Sequence, residues 1–170
     1  MSHADHPIES RTATVNGIRL RYLTAGSGDP VFLLHGWPVS ADMWRPIIPA
    51  LAANRTVVAP DLRGAGYSDK PAGGYDKATM ADDVHALAEA LGYERYSVVG
   101  YDIGGMVAYP LAAKHRGAVD KLAIIDVPLP CIRSHGSMPG ASGSTSRASS
   151  GPAPSTRRRS PTPRSISMPR

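Results

Sequence analysis

Asp102 lies inside Gly100-Tyr101-Asp102-Ile103-Gly104-Gly105, directly after the apolar run Tyr96-Ser97-Val98-Val99. A G-x-D-x-G segment between a buried strand and a helix forms a sharp elbow that exposes the central side chain at the strand's carboxyl end. The flanking glycines allow backbone angles that a Cβ resists, and they let the helix pack close to the strand. A carboxylate in that position is ionised at neutral pH and needs no base to become a nucleophile. With an sp3 carbon it forms an ester of the aspartate, not the acyl-enzyme that a serine forms. Aspartate also favours helix N-caps, so the residue type alone leaves a structural role open.

Two further segments leave strands in the same way. His35-Gly36-Trp37-Pro38 follows Val31-Phe32-Leu33-Leu34, about 65 residues before the elbow. The His35 ring is expected to be hydrogen-bonded within its loop, leaving the backbone for chemistry. Asp61 to Pro71 (DLRGAGYSDKP) follows the short apolar run Thr56 to Ala59. Its glycines open no helix and no Gly-Lys-Ser/Thr is present, which argues against a phosphate loop. A tight turn held by pairing of Asp61 or Arg63, forming one wall of a site, is expected instead.

These segments need a frame. Asn16-Gly17 between Thr12–Val15 and Ile18–Leu23 predicts a β-hairpin. Alternation of Ile18, Leu20 and Tyr22 with Arg19 and Arg21 gives the second strand one buried and one wet face, and Leu23, which breaks the alternation, marks its end. Val31 to Leu34 and Thr56 to Ala59 read as strands buried on both faces. A short helix from Ile47 to Ala53 is entered through Pro46, with Pro49 in its first turn. A longer one runs from Met80 to Leu91, capped by Thr79 with Asp82 and stopped by Gly92. A third, from about Gly104 to His115, contains Pro110, which should kink or divide it. His85 and His115 fall on these helices as expected surface residues. With the last strand, Leu122 to Asp126, the order is that of an α/β fold: a mostly parallel sheet preceded by an antiparallel hairpin.

The segments HGWP (35–38), DLRGAGYSDKP (61–71), GGYDKATMADD (73–83), VVGYDIGGMVAY (98–109) and LAIIDVPLP (122–130) occur in an order that resembles the N-terminal half of an α/β-hydrolase. Within that superfamily they most resemble the epoxide hydrolase branch, over Thr12 to Pro130. The resemblance implies that Asp102 is the nucleophile, and that the backbone N–H groups of Trp37 and Ile103 form an oxyanion hole beside bound substrate. Asp102 would open an epoxide, giving a hydroxyalkyl ester. Water activated by a histidine, itself oriented by a second carboxylate, would then hydrolyse that ester. No cofactor and no metal is implied. Haloalkane dehalogenases place Trp after the nucleophile and haloacetate dehalogenases usually place Arg; Ile103 offers no side-chain donor, so both remain alternatives. The epoxide hydrolase pattern often shows Asp-Ile-Gly-Gly, as here, though with His where this chain has Tyr101. In the family the histidine and its acid follow the seventh and eighth strands, and cap tyrosines lie between the sixth and seventh. The base, the acid and the cap are therefore expected to be absent from this chain, whose domain is truncated after about the sixth strand. A non-catalytic remnant of the fold is the other alternative.

Composition agrees with a break near residue 130. The 170-residue chain has a formal net charge of +5, but seven of its 19 Lys and Arg and none of its 14 Asp and Glu lie from Cys131 onward. Residues 1–130 thus have the charge balance of an ordinary enzyme, and residues 131–170 read as a disordered Arg/Ser/Pro-rich tail. His135 falls too early to be the base. Abrupt loss of periodicity, acids and lysine inside a familiar pattern is what a shifted reading frame of a GC-rich gene produces; the nucleotide sequence past codon 130 decides it. A basic tail that meets an acidic partner is the rival, and nucleic acid is not the expected partner. One cysteine, no metal-type spacing and no apolar run of roughly 20 residues point to a cytoplasmic protein without a membrane partner. A sheet ending at Leu122 to Ile125 would leave an apolar edge. Self-association is expected, and a stable, cooperative monomer in size-exclusion chromatography would contradict it.

Overall fold

Asn16 and Gly17 both take positive φ, +49° and +75°, the geometry that a two-residue hairpin turn requires. They join β1 (Glu9–Val15) to β2 (Ile18–Ala25), paired antiparallel from Val15↔Ile18 outward. The computed structural model describes residues 6–127. Strand β2 runs two residues past Leu23, because Tyr22 to Ala25 also pair antiparallel with β4 (Thr56–Pro60). From Leu20 to Leu23 the strand is buried on both faces and only Arg19 before them is exposed, so the alternation that predicted its end does not apply there. Arg21, assigned to solvent by the same alternation, is 5% exposed.

The sheet has six strands in the order β1-β2-β4-β3-β5-β6, with β3 at Pro30–Leu34, β5 at Tyr96–Tyr101 and β6 at Val119–Ile125. Strands β4, β3, β5 and β6 are mutually parallel. The chain leaves β3 for β4 on one side and later returns to β5 on the other. The crevice outside the carboxyl ends of β3 and β5 is therefore a topological switch point, where open α/β sheets bind ligands. Phe32 and Leu34 point into one core with Val58, Val98, Val84 and Leu111. Val31 and Leu33 point into the other with Trp44, Ile48 and Val57. Two buried faces explain why β3 and β4 read as unbroken apolar runs. Strand β6 is the edge among the described residues, and Leu122 and Ile125 on it are exposed.

The helices depart from expectation mostly at their ends. Helix α1 (Ile48–Ala52) starts one residue late and takes Pro49 into its first turn, where the missing N–H costs nothing. Helix α2 (Lys77–Ala90) starts three residues before Met80, because Asp76 and not Thr79 is the cap. The Asp76 carboxylate accepts the Thr79 N–H at 2.9 Å and the Thr79 hydroxyl at 2.7 Å. Helix α3 (Ile103–Lys114) runs through Pro110 undivided. His85 and His115 are not simple surface residues: their rings stack 3.6 Å apart, and His85 Nδ1 lies 2.9 Å from the Tyr96 hydroxyl. The expected tail, residues 131–170 with His135, and the end of the LAIIDVPLP segment lie outside the described residues.

Buried polar side chains fix the loops at the carboxyl edge of the sheet. Asp61, fully buried after β4, accepts the Ala41 N–H at 2.8 Å and the Tyr67 N–H at 2.9 Å, and pairs with Arg21 at 3.3 Å. Arg63 reaches across to Asp83 on α2 with two bonds of 2.7 and 2.9 Å. The Asp61–Tyr67 bond is internal to the 61–71 turn, whereas the ion pairs of Asp61 and Arg63 go to other elements. The His35 ring ties two loops: its Nδ1–H donates to the Gly36 carbonyl at 2.8 Å and its Nε2 accepts the Leu62 N–H at 2.9 Å. A ring that accepts at Nε2 must stay neutral, and burial holds its pKa below the ordinary histidine value.

Two outcomes follow. Asp61→Ala leaves Arg21 buried without its counter-ion and two N–H groups without an acceptor, so urea denaturation should show a loss of about 3–5 kcal/mol. The half-exposed Asp42, which also pairs with Arg21, should cost no more than about 1 kcal/mol on replacement by alanine; equal losses for the two would contradict this ranking. For His35 the unfolded chain binds a proton more readily than the folded one. Stability is therefore full above the unfolded pKa near 6.5 and falls as pH drops through and below it, by up to about 1.4 kcal/mol per pH unit. His85, pushed down by burial and then by the charge of His115, acts in the same sense. Urea midpoints at pH 7.5 and 5.5 measure the sum, and His35→Gln should flatten its share.

Candidate active site

Strand β5 enters the elbow at Tyr101, and Asp102 turns it with φ +51° and ψ −122°. That left-handed backbone is costly for a residue with a Cβ, of order 1–3 kcal/mol, and persists only where the surroundings impose it. They do so here. The Asp102 N–H donates to the Ile125 carbonyl of β6 at 3.1 Å, and its carbonyl accepts the Gly105 and Met106 N–H groups as α3 begins. A Cβ on Gly104 would fall onto the Leu34 carbonyl, so the helix approaches β3 this closely only with glycine there.

The carboxylate lies beside the loop that leaves β3. Asp102 occupies the N-cap position of α3 but makes no side-chain capping bond. Its Oδ2 instead accepts the Trp37 N–H at 2.9 Å, across 65 residues of sequence. Gly36 makes that approach feasible, because a Cβ there would sit 2.9 Å from the Asp102 Cβ. The Trp37 N–H first, and the Ile103 N–H second, hold the Asp102 pKa below the usual carboxylate value; the charge of Lys77 adds in the same direction, against slight desolvation. Asp102 is thus an ionised carboxylate presented at the switch point, with Oδ2 held by the Trp37 N–H.

Trp37 and Ile103 also line an open cavity of about 120 Å³, together with Leu62, Tyr75, Lys77 and Met80. The wall is mainly apolar, and the 61–71 turn supplies part of it through Arg63, Gly64 and Ala65. The structure thereby brings Asp102, Trp37 and Ile103 to one place. It does not bring His85 or His115, which pair with each other between α2 and α3. His35 borders the cavity with both ring nitrogens engaged. Among the described residues no free imidazole faces Asp102, and no group of side chains has the make-up of a metal site.

Sequence reasoning passed over two residues here. Lys77 was absorbed into the entry of a helix; the available signal was a cation in the first helical turn, where the helix dipole disfavours it. Asp126 follows β6 with φ +53°, and besides Asp102 and the hairpin residue Asn16 it is the one non-glycine with positive φ among the described residues. A second carboxylate in strained backbone, one strand from the elbow, is a signal that only the structure contains.

The alpha/beta hydrolase fold family matches residues 29–143 of the chain. A soluble epoxide hydrolase from Corynebacterium sp. (strain C12) is 50% identical over 132 residues, which cover 78% of this chain and 46% of that protein. A fluoroacetate dehalogenase from Burkholderia sp. is 40% identical over 124 residues, covering 70% and 41%. Among solved structures, the epoxide hydrolase CorEH without ligand superposes with a TM-score of 0.72 at 50% identity, covering 78% of this chain and 47% of that one. Cfl2 from Burkholderia cenocepacia gives 0.71 at 37% identity, covering 80% and 47%. The chain spans under half the length of these relatives. Its elbow, its sheet order and the matched residues lead to one assignment: the chain belongs to the alpha/beta hydrolase fold family.

Proposed function

We propose that this chain carries the nucleophile and oxyanion hole of an epoxide-opening hydrolase. The observation that carries the reading is the Asp102 carboxylate, ionised in an elbow of positive φ with one oxygen on the Trp37 N–H at 2.9 Å. The free oxygen attacks an epoxide carbon from the cavity side. The carbon–oxygen bond of the ring breaks, the alkoxide takes a proton from water, and a hydroxyalkyl ester of Asp102 remains. The ester carbonyl oxygen then occupies the place held now by Oδ2. When water adds, negative charge develops on that oxygen, where the Trp37 and Ile103 N–H groups stabilise it.

The second half needs a base, and we assign none within residues 6–127. The histidine that would serve is expected to be absent from this chain. The acid that orients it is expected after a later strand, and Asp126 is a nearer candidate on the evidence of its place and backbone. We read residues 1–130 as the nucleophile-bearing part of the domain and residues 131–170 as a separate basic segment. The small-molecule partner is an epoxide or a related electrophile, and no cofactor enters these steps. No helix among the described residues is long and apolar enough to cross a membrane, and we place the protein in the cytoplasm. Association through the exposed β6 edge follows from the same reading. A dehalogenase reading is favoured by the 40% identity to the fluoroacetate dehalogenase, but Ile103 offers neither a halide nor a carboxylate a side-chain donor.

Intact-mass spectrometry after incubation with styrene oxide tests the reading. Alkylation requires only the carboxylate, so one adduct should accumulate on Asp102, persist in the absence of a base, and be lost in Asp102→Asn. No adduct at high epoxide concentration would leave the non-catalytic alternative standing.

A further inference from the structure

Lys77 is the first residue of α2 and lines the same cavity as Trp37 and Ile103. Its ammonium group lies 3.8 Å from the Met80 sulfur, a weak acceptor, and among the described residues no carboxylate pairs with it. The neighbouring cation is differently placed. Arg63 is bound bidentately to Asp83, which is 2% exposed, and donates a further bond to the Gly73 carbonyl. The arginine is thus neutralised and fixed. Lys77 is the cation on the cavity wall with donors to spare.

Its position is also unfavourable for the helix. A positive charge in the first turn opposes the helix dipole, and no acidic residue follows it in that turn. The Asp76 carboxylate is occupied by both donors of Thr79. A local rule broken without a structural return is what a functional position shows.

We infer that Lys77 makes this site select electrophiles that carry a carboxylate or a similar small anion. The inference rests on Asp102 as the nucleophile and adds the substrate class. An anionic substrate approaching an ionised Asp102 meets like-charge repulsion, and a cation on the cavity wall formed with Trp37 and Ile103 offsets it. Ile103, next to the nucleophile, offers no side-chain donor for such a group; Lys77 offers up to three. The mostly apolar lining around Lys77 strengthens a charge-assisted bond that water would weaken. The chemistry is that of the neutral case: the Asp102 oxygen bonds to the epoxide carbon, the ring C–O bond breaks, and the alkoxide takes a proton from water while the carboxylate rests on Lys77.

Glycidate and glycidamide have the same shape and differ in charge, and they are the probes. The full chain is incubated with each, adduct formation on Asp102 is followed by intact mass, and each rate is divided by that of acetate with the same epoxide. The glycidate-to-glycidamide ratio should fall about tenfold in Lys77→Met and be largely kept in Lys77→Arg. Removing a cation from the first turn should leave the thermal midpoint equal or higher, so loss of fold does not confuse the result. A second measurement needs no covalent step: binding of glycerate, read by fluorescence of the exposed Trp37, with Trp37→Phe as the control for Trp44. An unchanged ratio in Lys77→Met overturns the inference and leaves Asp102 as the nucleophile. Glycerate binding that depends on Lys77, without adducts from either epoxide, supports the anion site and overturns the nucleophile. Neither adducts nor glycerate binding overturns both.

Discussion

One hydrogen bond connects the two halves of this site: the Trp37 N–H to Oδ2 of Asp102. Its partners leave adjacent parallel strands, and the β3–β5 register, Leu34↔Gly100, brings their carboxyl ends level. The chain makes that juxtaposition by reversing the direction in which it adds strands around β3. Every other feature of the site serves to keep the two loops close. Glycine at 36 removes the Cβ that would collide with Asp102, and glycine at 104 lets α3 start against β3. The positive φ of Asp102 turns its carboxylate out of the sheet. With β3 and β5 one register apart, the donor and the acceptor would not meet.

The loops around that bond are held by buried charges, and this choice has a physical logic. A buried ion pair contributes little net stability, since desolvation of both partners offsets their attraction. It is instead directional, and breaking it is expensive. Asp61 spends its oxygens on Arg21 and on two backbone N–H groups from different loops, so it specifies where those loops sit. Arg63 does the same between the 61–71 turn and α2. An apolar cluster of equal volume would stabilise the fold as well and would leave the loops free to slide. His35 completes the set with a neutral ring whose two nitrogens read two backbones.

What was legible in the sequence were the features set by local chemistry. Asn16-Gly17 has one easy conformation, β3 and β4 are apolar on both faces, and the elbow needs its glycines, so the hairpin, the parallel strands and the position of Asp102 could be read directly. What was illegible depended on distant partners. Leu23 looks like the end of a strand until β4 arrives on its other side, and Arg21 looks wet until Asp61 is placed beneath it. Thr79 and Asp76 are both good caps, and the choice falls to the residue whose carboxylate reaches two donors of the other. His85 and His115 sit on different helices, and their stacking is a product of α2 packing on α3. Lys77 and Asp126 went unremarked because their significance lies in what surrounds them.

If Asp102 is the nucleophile proposed above, the bond that organises the site also sets a compromise in that chemistry. Backbone donors that hold the ionised Asp102 stabilise the ground state of the alkylation step, and only stabilisation that grows toward the transition state accelerates a reaction. A carboxylate fully engaged by donors would be a poor nucleophile. Here the observed donor bond falls on Oδ2, leaving the other oxygen without it. In the proposed hydrolysis step the balance would be reversed, because charge would return to the oxygen already facing those donors. The N–H groups that moderate the first step then act on developing charge in the second. A serine at the same elbow would begin with no charge for them to hold. On that reading aspartate couples the two steps through one pair of donors, and the Trp37 N–H on Oδ2 is what makes its two oxygens unequal.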